Sequence, residues 1–116
     1  MSAKLLASLI ITCTSAQVEN GYLFQCGGYR IRIESIVTAE LPSAAECIDH
    51  RRNYAWCNYR AGYRARDALK AFLSRGPVLI KRSGTDRYGR VLAKVSVNGQ
   101  DVGEYLKARG LAKSWR

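Results

Sequence analysis

Two stretches of short hydrophobic alternation about a pair of glycines, one helix-period segment, and a second alternating pair closed by Asn-Gly predict a small α+β domain. The chain has 116 residues, 47% of them hydrophobic, which is material for a single core and a single domain.

The elements follow in order. From Val18 to Phe24 and from Tyr29 to Val37, apolar residues alternate with polar ones on either side of Gln25-Cys26-Gly27-Gly28, whose paired glycines permit a tight turn. This reads as a hairpin. Residues Ala39 to Tyr63 show no sustained period and are rich in Asn, Arg, Tyr and small residues, so a loop is expected there. Gly62 to Arg75 is helical in period: Ala65, Ala68, Leu69, Phe72 and Leu73 share one face, while Arg64, Arg66, Asp67 and Lys70 fall opposite. Gly76-Pro77 ends the helix. Pro77 to Lys81 and Arg90 to Val97 read as strands joined by the turn-forming residues Ser83 to Gly89. Asn98-Gly99 marks another turn. Asp101, with Glu104 three residues on, has the layout of an N-terminal cap for a helix that reaches about Arg109 and is closed by Gly110.

Charge is unevenly spread. Of 19 basic and 9 acidic residues, residues 1–49 hold 3 and 5, and residues 50–116 hold 16 and 4. A positive field of that kind favours polyanions, because neutralising phosphates releases condensed counterions. The same charge also serves solubility, and by itself it does not separate DNA or RNA from other polyanions.

The first sixteen residues fit a secretory signal: Lys4 gives a positive start, Leu5 to Ile11 an apolar run, and Thr14-Ser15-Ala16 a small-residue cleavage site. A mature domain of residues 17–116 would then be secreted or periplasmic. The run is too short to span a bilayer, so stable membrane insertion is not expected. The same residues also suit a buried first strand around Leu9 to Thr12, and on that reading the chain is cytoplasmic. Cutting before Gln17 removes Cys13 and leaves Cys26, Cys47 and Cys57. Cys47 and Cys57 flank the polar segment Ile48 to Trp56, and a disulfide between them would close that loop. The alternatives are a zinc site from Cys47-x-x-His50 with Cys57 and Cys26, or reduced cysteines.

One constellation is specific. Thr85-Asp86-Arg87-Tyr88-Gly89-Arg90-Val91-Leu92-Ala93, then Val97-Asn98-Gly99, then Leu106-x-x-x-Gly110-Leu111-Ala112, resembles the C-terminal signature of the staphylococcal nuclease (thermonuclease) family. Upstream, Ile31-Arg32-Ile33-Glu34-Ser35-Ile36-Val37-Thr38-Ala39-Glu40-Leu41 is similar to the family's arginine-bearing strand and the Asp-x-Pro-Glu motif that follows it. The resemblance covers nearly all of residues 18 to 113. It implies an OB-fold, a five-stranded β-barrel with helices, expected as a monomer that meets DNA or RNA. It also implies hydrolysis of phosphodiester bonds, with Glu40 as the base that orients or deprotonates water and Arg32 and Arg90 as phosphate clamps. Arg87 and Tyr88 would contact a terminal phosphate and nucleotide. The roles suit the residue types, since arginine presents a planar fork to the equatorial oxygens of a phosphoryl transition state.

Two departures touch the calcium ion that the family holds with two aspartates. Tyr22 and Val37 stand where those aspartates are expected, and neither side chain suits calcium. The Thr38 backbone carbonyl would remain, and Glu34 and Glu19 are candidates for a displaced site for calcium or another divalent ion. Ala39 also replaces the family's proline, leaving the approach to Glu40 less rigid. Trp115, near the end of the sequence, could pack on the core, stack on a base or help a partner dock. Tyr54, Trp56, Tyr59 and Tyr63, interleaved with Arg51, Arg52, Arg60 and Arg64, either stack on single-stranded bases or cover the helix. Three functions follow: a nuclease with weak turnover or altered metal use, a catalytically silent nucleic-acid-binding OB domain, or a structural protein that binds another acidic partner.

Overall fold

A computed structural model describes residues 10–48 and 56–115. Its strands are β1 (Ile10–Cys13), β2 (Gln17–Val18), β3 (Leu23–Cys26), β4 (Tyr29–Ile33), β5 (Ile36–Val37), β6 (Val78–Thr85), β7 (Val91–Val97), β8 (Gln100–Asp101) and β9 (Lys113–Ser114). The helices are α1 (Ala45–Ile48), α2 (Tyr59–Leu73) and α3 (Val102–Ala108).

The main sheet runs β1-β6-β7-β4-β3-β2, with β8 also on β7. Its pairs are antiparallel except β4 with β7, which lie parallel with Ile31 opposite Val91 and Arg32 opposite Leu92. The result is a curled, mixed half-barrel with helices, consistent with an OB-fold. Of its seven strands among the described residues, β2 and β8 are two-residue pieces, leaving five of four residues or more. Strand alternation sends Ile31, Ile33, Ile80, Val91, Ala93 and Val95 inward, where they meet Leu69 and Phe72 of α2 and Leu106 of α3. The Gly27-Gly28 turn takes φ values of 57° and 86°, both in the left-handed region that a two-residue hairpin of this hand requires.

Several boundaries differ from the sequence-based expectation. β6 runs on through Ser83, Gly84 and Thr85, because a register shift between Arg82 and Gly84 absorbs the turn-forming residues as a bulge within the strand. α2 starts at Tyr59, since Asn58 caps it by accepting the Ala61 N–H at 3.1 Å. α1 interrupts the expected loop, and β9 pairs with β5 far away in sequence. His50, Arg51, Arg52 and Tyr54 lie outside the described residues.

The segment read as a signal contributes β1, whose Ile10 to Cys13 pair antiparallel with Lys81 to Val78 of β6; residues 1–9 of that reading lie outside the described residues. Cys13 forms a disulfide with Cys26, and Cys47 with Cys57. A cut before Gln17 would therefore remove β1 and strip Cys26 of its partner. The zinc alternative is overturned, because Cys26, Cys47 and Cys57 have their sulfurs in disulfides and offer no thiolate. Among the described residues, no helix is long and apolar enough to cross a membrane.

Candidate functional site

Arg32 sits between Ile31 and Ile33 on β4. With those two aimed into the core, strand alternation sends Arg32 to the other face of the sheet. It is nevertheless only 4% exposed. Its guanidinium lies between two rings, 4.4 Å from the centroid of Tyr22 and 4.1 Å from that of Trp115. Its Nη1 donates to the carbonyls of Ile33 and Ile36, the latter at 2.9 Å. Burial lowers the Arg32 pKa; Tyr22 opposes that, the nearby Arg90 charge adds to it, and Glu40 and Asp86 oppose it. Arginine stays a cation all the same. Trp115 is held in place by β9: its N–H donates to Ser35 at 2.9 Å, one residue beyond the β5–β9 pairing. The ring covers Arg32, and the residue as a whole stays 47% exposed.

Glu40 follows β5 and is buried. The Tyr22 hydroxyl donates across both its carboxylate oxygens, at 3.0 and 2.9 Å. One ring therefore contacts Arg32 through its face and Glu40 through its hydroxyl. The backbone holds the rest: the Glu40 N–H donates to Trp56 at 2.7 Å, and the Tyr22 N–H donates to Asn20 Oδ1 at 2.9 Å. Two glycines allow this closeness. A Cβ on Gly62 of α2 would strike the Glu40 carbonyl, and one on Gly21 would strike Thr38 Oγ1 and Ala65.

Arg90 enters from the loop before β7. Its Nε donates to Asp86 Oδ2 at 2.7 Å, while Asp86 Oδ1 accepts the N–H groups of Tyr88 and Arg90 at 2.9 and 3.0 Å. Burial pushes the Asp86 carboxyl up, but these three hydrogen bonds and the Arg90 charge outweigh it and hold the group below its ordinary value. Asp86 takes the Nε edge of Arg90, and the Nη groups have no hydrogen-bond partner among the described residues. Tyr88 is well exposed, with Arg87 donating to its hydroxyl at 3.0 Å and the Arg87 and Arg90 guanidinium carbons 5.1 and 5.6 Å from its ring centroid.

The structure thus gathers Arg32, Glu40 and Tyr22 directly, and sets Arg90 close enough to act on the Arg32 charge. The donor set does not suit calcium. Tyr22 and Val37 bring no carboxylate, and the Tyr22 hydroxyl donates to the Glu40 carboxylate. Glu34 accepts from Ser83 on β6, and Glu19 is engaged by Gln25 at 3.1 Å and Arg30 at 3.5 Å. Among the described residues, no three His, Cys, Asp or Glu side chains gather to hold a metal, and a lone Thr38 carbonyl is no site.

Sequence reasoning missed Tyr22 as the partner of Glu40, Trp115 as the cover of Arg32, and Gly62 as the residue that lets α2 approach. Only Asp86 had a signal, its spacing of four from Arg90 within Asp86-Arg87-Tyr88-Gly89-Arg90. The family model described as staphylococcal nuclease homologue matches residues 30–116. No curated protein matches the chain.

Proposed function

The chain belongs to the staphylococcal nuclease homologue family, and from that premise we propose that it hydrolyses phosphodiester bonds of DNA or RNA without calcium in the family's site. The observation that carries this reading is Tyr22: its hydroxyl holds the Glu40 carboxylate while its ring holds Arg32. A tyrosine thus organises the site where the family resemblance calls for a metal-binding aspartate. Glu40 takes a proton from water as the water oxygen bonds to phosphorus, and the ester oxygen leaves and is protonated by solvent. The Nη groups of Arg90 and the buried charge of Arg32 stabilise the negative charge gathering on the phosphoryl oxygens. A metal supplies several kcal/mol in such reactions, and each ~4 kcal/mol forgone slows turnover about a thousandfold, so slow cleavage is expected.

The second reading, a nucleic-acid-binding domain that does not turn over, is favoured by the Trp115 ring on Arg32. Cleavage of labelled single-stranded DNA and RNA by the full chain, with chelator, calcium or magnesium, separates the two. Chelator-resistant cleavage that disappears in Glu40→Gln while binding persists supports the first. Cleavage by Glu40→Gln at the parent rate removes Glu40 from the mechanism. Salt-sensitive binding without cleavage gives the second reading.

A further inference from the structure

The catalytic cluster leaves one feature of α2 unused. Tyr59, Tyr63, Arg66 and Lys70 stand at spacings of four, three and four, which sets them along one flank of the helix. The core takes a different face, built on Ala65, Leu69 and Phe72. Tyr59 is 39% exposed and Tyr63 42%, so these rings are not filling the interior. The Arg66 guanidinium lies 4.9 Å from the Tyr63 centroid, and Arg60 and Arg64 add charge alongside. Asp67, bonded to Arg66 at 2.9 Å, is the one acid on the helix.

The position of this stripe matters as much as its content. Near its start, on the buried face beside it, Gly62 abuts the Glu40 backbone carbonyl. At its far end, Arg66, Asp67 and Lys70 form one wall of a cleft whose other wall is Ala16, Gln17 and Val18. From Tyr59 to Lys70 the flank is about 16 Å long at the helical rise.

We propose that the Tyr59, Tyr63, Arg66 and Lys70 flank is a binding track for single-stranded nucleic acid that leads to the Arg32, Glu40 and Arg90 cluster. Exposed rings one helical turn apart offer successive stacking surfaces, and cations beyond them meet the phosphates of the same strand. Only unpaired bases present faces to such rings, so the track selects single strands over duplex. The proposal rests on the reading of the cluster as a nucleic-acid site, but it is tested by binding rather than by cleavage.

The experiment measures binding of fluorescent, phosphorothioate-linked oligo-dT and oligo-U of about 12 nucleotides, and of a duplex, to the full chain in chelator over a range of salt. Tyr59→Ala with Tyr63→Ala should weaken single-strand binding about 100-fold, leaving duplex binding and the melting temperature unchanged. Tyr59→Phe with Tyr63→Phe should bind like the parent, since the ring suffices. Arg66→Gln with Lys70→Gln should reduce the salt slope on single strands by about 1.4. Parent-like binding by the Ala pair overturns the proposal, as does an equal loss for single strand and duplex together with a lower melting temperature. Cleavage that is absent, or unaffected by Glu40→Gln, counts against the catalytic reading and leaves the binding result standing.

Discussion

At the scale of single residues, Tyr22 is the side chain on which the candidate site turns. Its hydroxyl is a donor to a buried carboxylate, and hydrogen bonds to charged groups contribute about 1.5–3 kcal/mol. Tyr22→Phe keeps the ring against Arg32 and removes only that donor. It should lower stability in urea unfolding by about 1.5–3 kcal/mol and reduce kcat about 10-fold or more with KM little changed, because Glu40 loses its orientation. A Phe variant equal to the parent in both would exclude Tyr22 from the site. Asp86 acts on Arg90 instead. Its carboxyl is held below the ordinary value of 3.8, so the stability it contributes is complete above that value and is lost as pH falls through the folded one. Asp86→Asn should flatten the acid limb of a stability-versus-pH curve and leave the limb above neutrality as it was.

At the scale of elements, the packing of α2 on the Glu40 segment places an ordinary helix rule in conflict with a contact. Alanine is the better helix former than glycine by about 1 kcal/mol, which alone would make Gly62→Ala stabilising. The new Cβ would meet the Glu40 carbonyl, a backbone atom with little room to yield. Overpacking of this kind costs roughly 1–3 kcal/mol. Gly62→Ala is therefore expected to lower the melting temperature and to impair cleavage together, as thermal unfolding and turnover would show; a rise in both would mean the helix does not set the position of Glu40. β9 is the other element that matters beyond its size: two residues paired with β5 carry Trp115 onto Arg32.

At the scale of the whole molecule, β1 and the disulfides decide how much of the chain the fold needs. Disulfides of this kind belong to oxidising, extracytoplasmic compartments. β1 pairs with β6 over four residues and is tied to β3 through Cys13–Cys26. A chain of residues 17–116 loses both, and loss of a native disulfide from a small domain typically costs about 2–5 kcal/mol. Thermal unfolding of residues 17–116 against the full chain should show that loss, with Cys26 reactive to thiol reagents only in the shorter form. Equal melting temperatures would mean that β1 is dispensable and would favour the signal reading of residues 1–16. The net charge of +10 acts over the same scale, making any nucleic-acid binding steeply salt-dependent.

The amino-acid sequence determined what depends on neighbours along the chain. The period of Ala65, Leu69 and Phe72 specified a helix, Gly27-Gly28 and Asn98-Gly99 specified turns, and the run from Thr85 to Ala93 with Arg32 and Glu40 pointed to the family and its candidate site. Local patterns also misled: Ser83-Gly84-Thr85 has turn composition, yet pairing with β7 over the rest of the strand holds it in β6. The tertiary structure alone decided what joins distant residues. It bonded Cys26 to Cys13, laid β4 parallel to β7 so that Arg32 neighbours the strand entered through Arg90, and brought Trp115 across to Arg32. It also turned Tyr22 from a missing ligand into the donor that holds Glu40. The reason is physical: periodicity and turn chemistry are properties of adjacent residues, whereas these contacts form only when the curled sheet buries its core and brings together segments up to 83 positions apart.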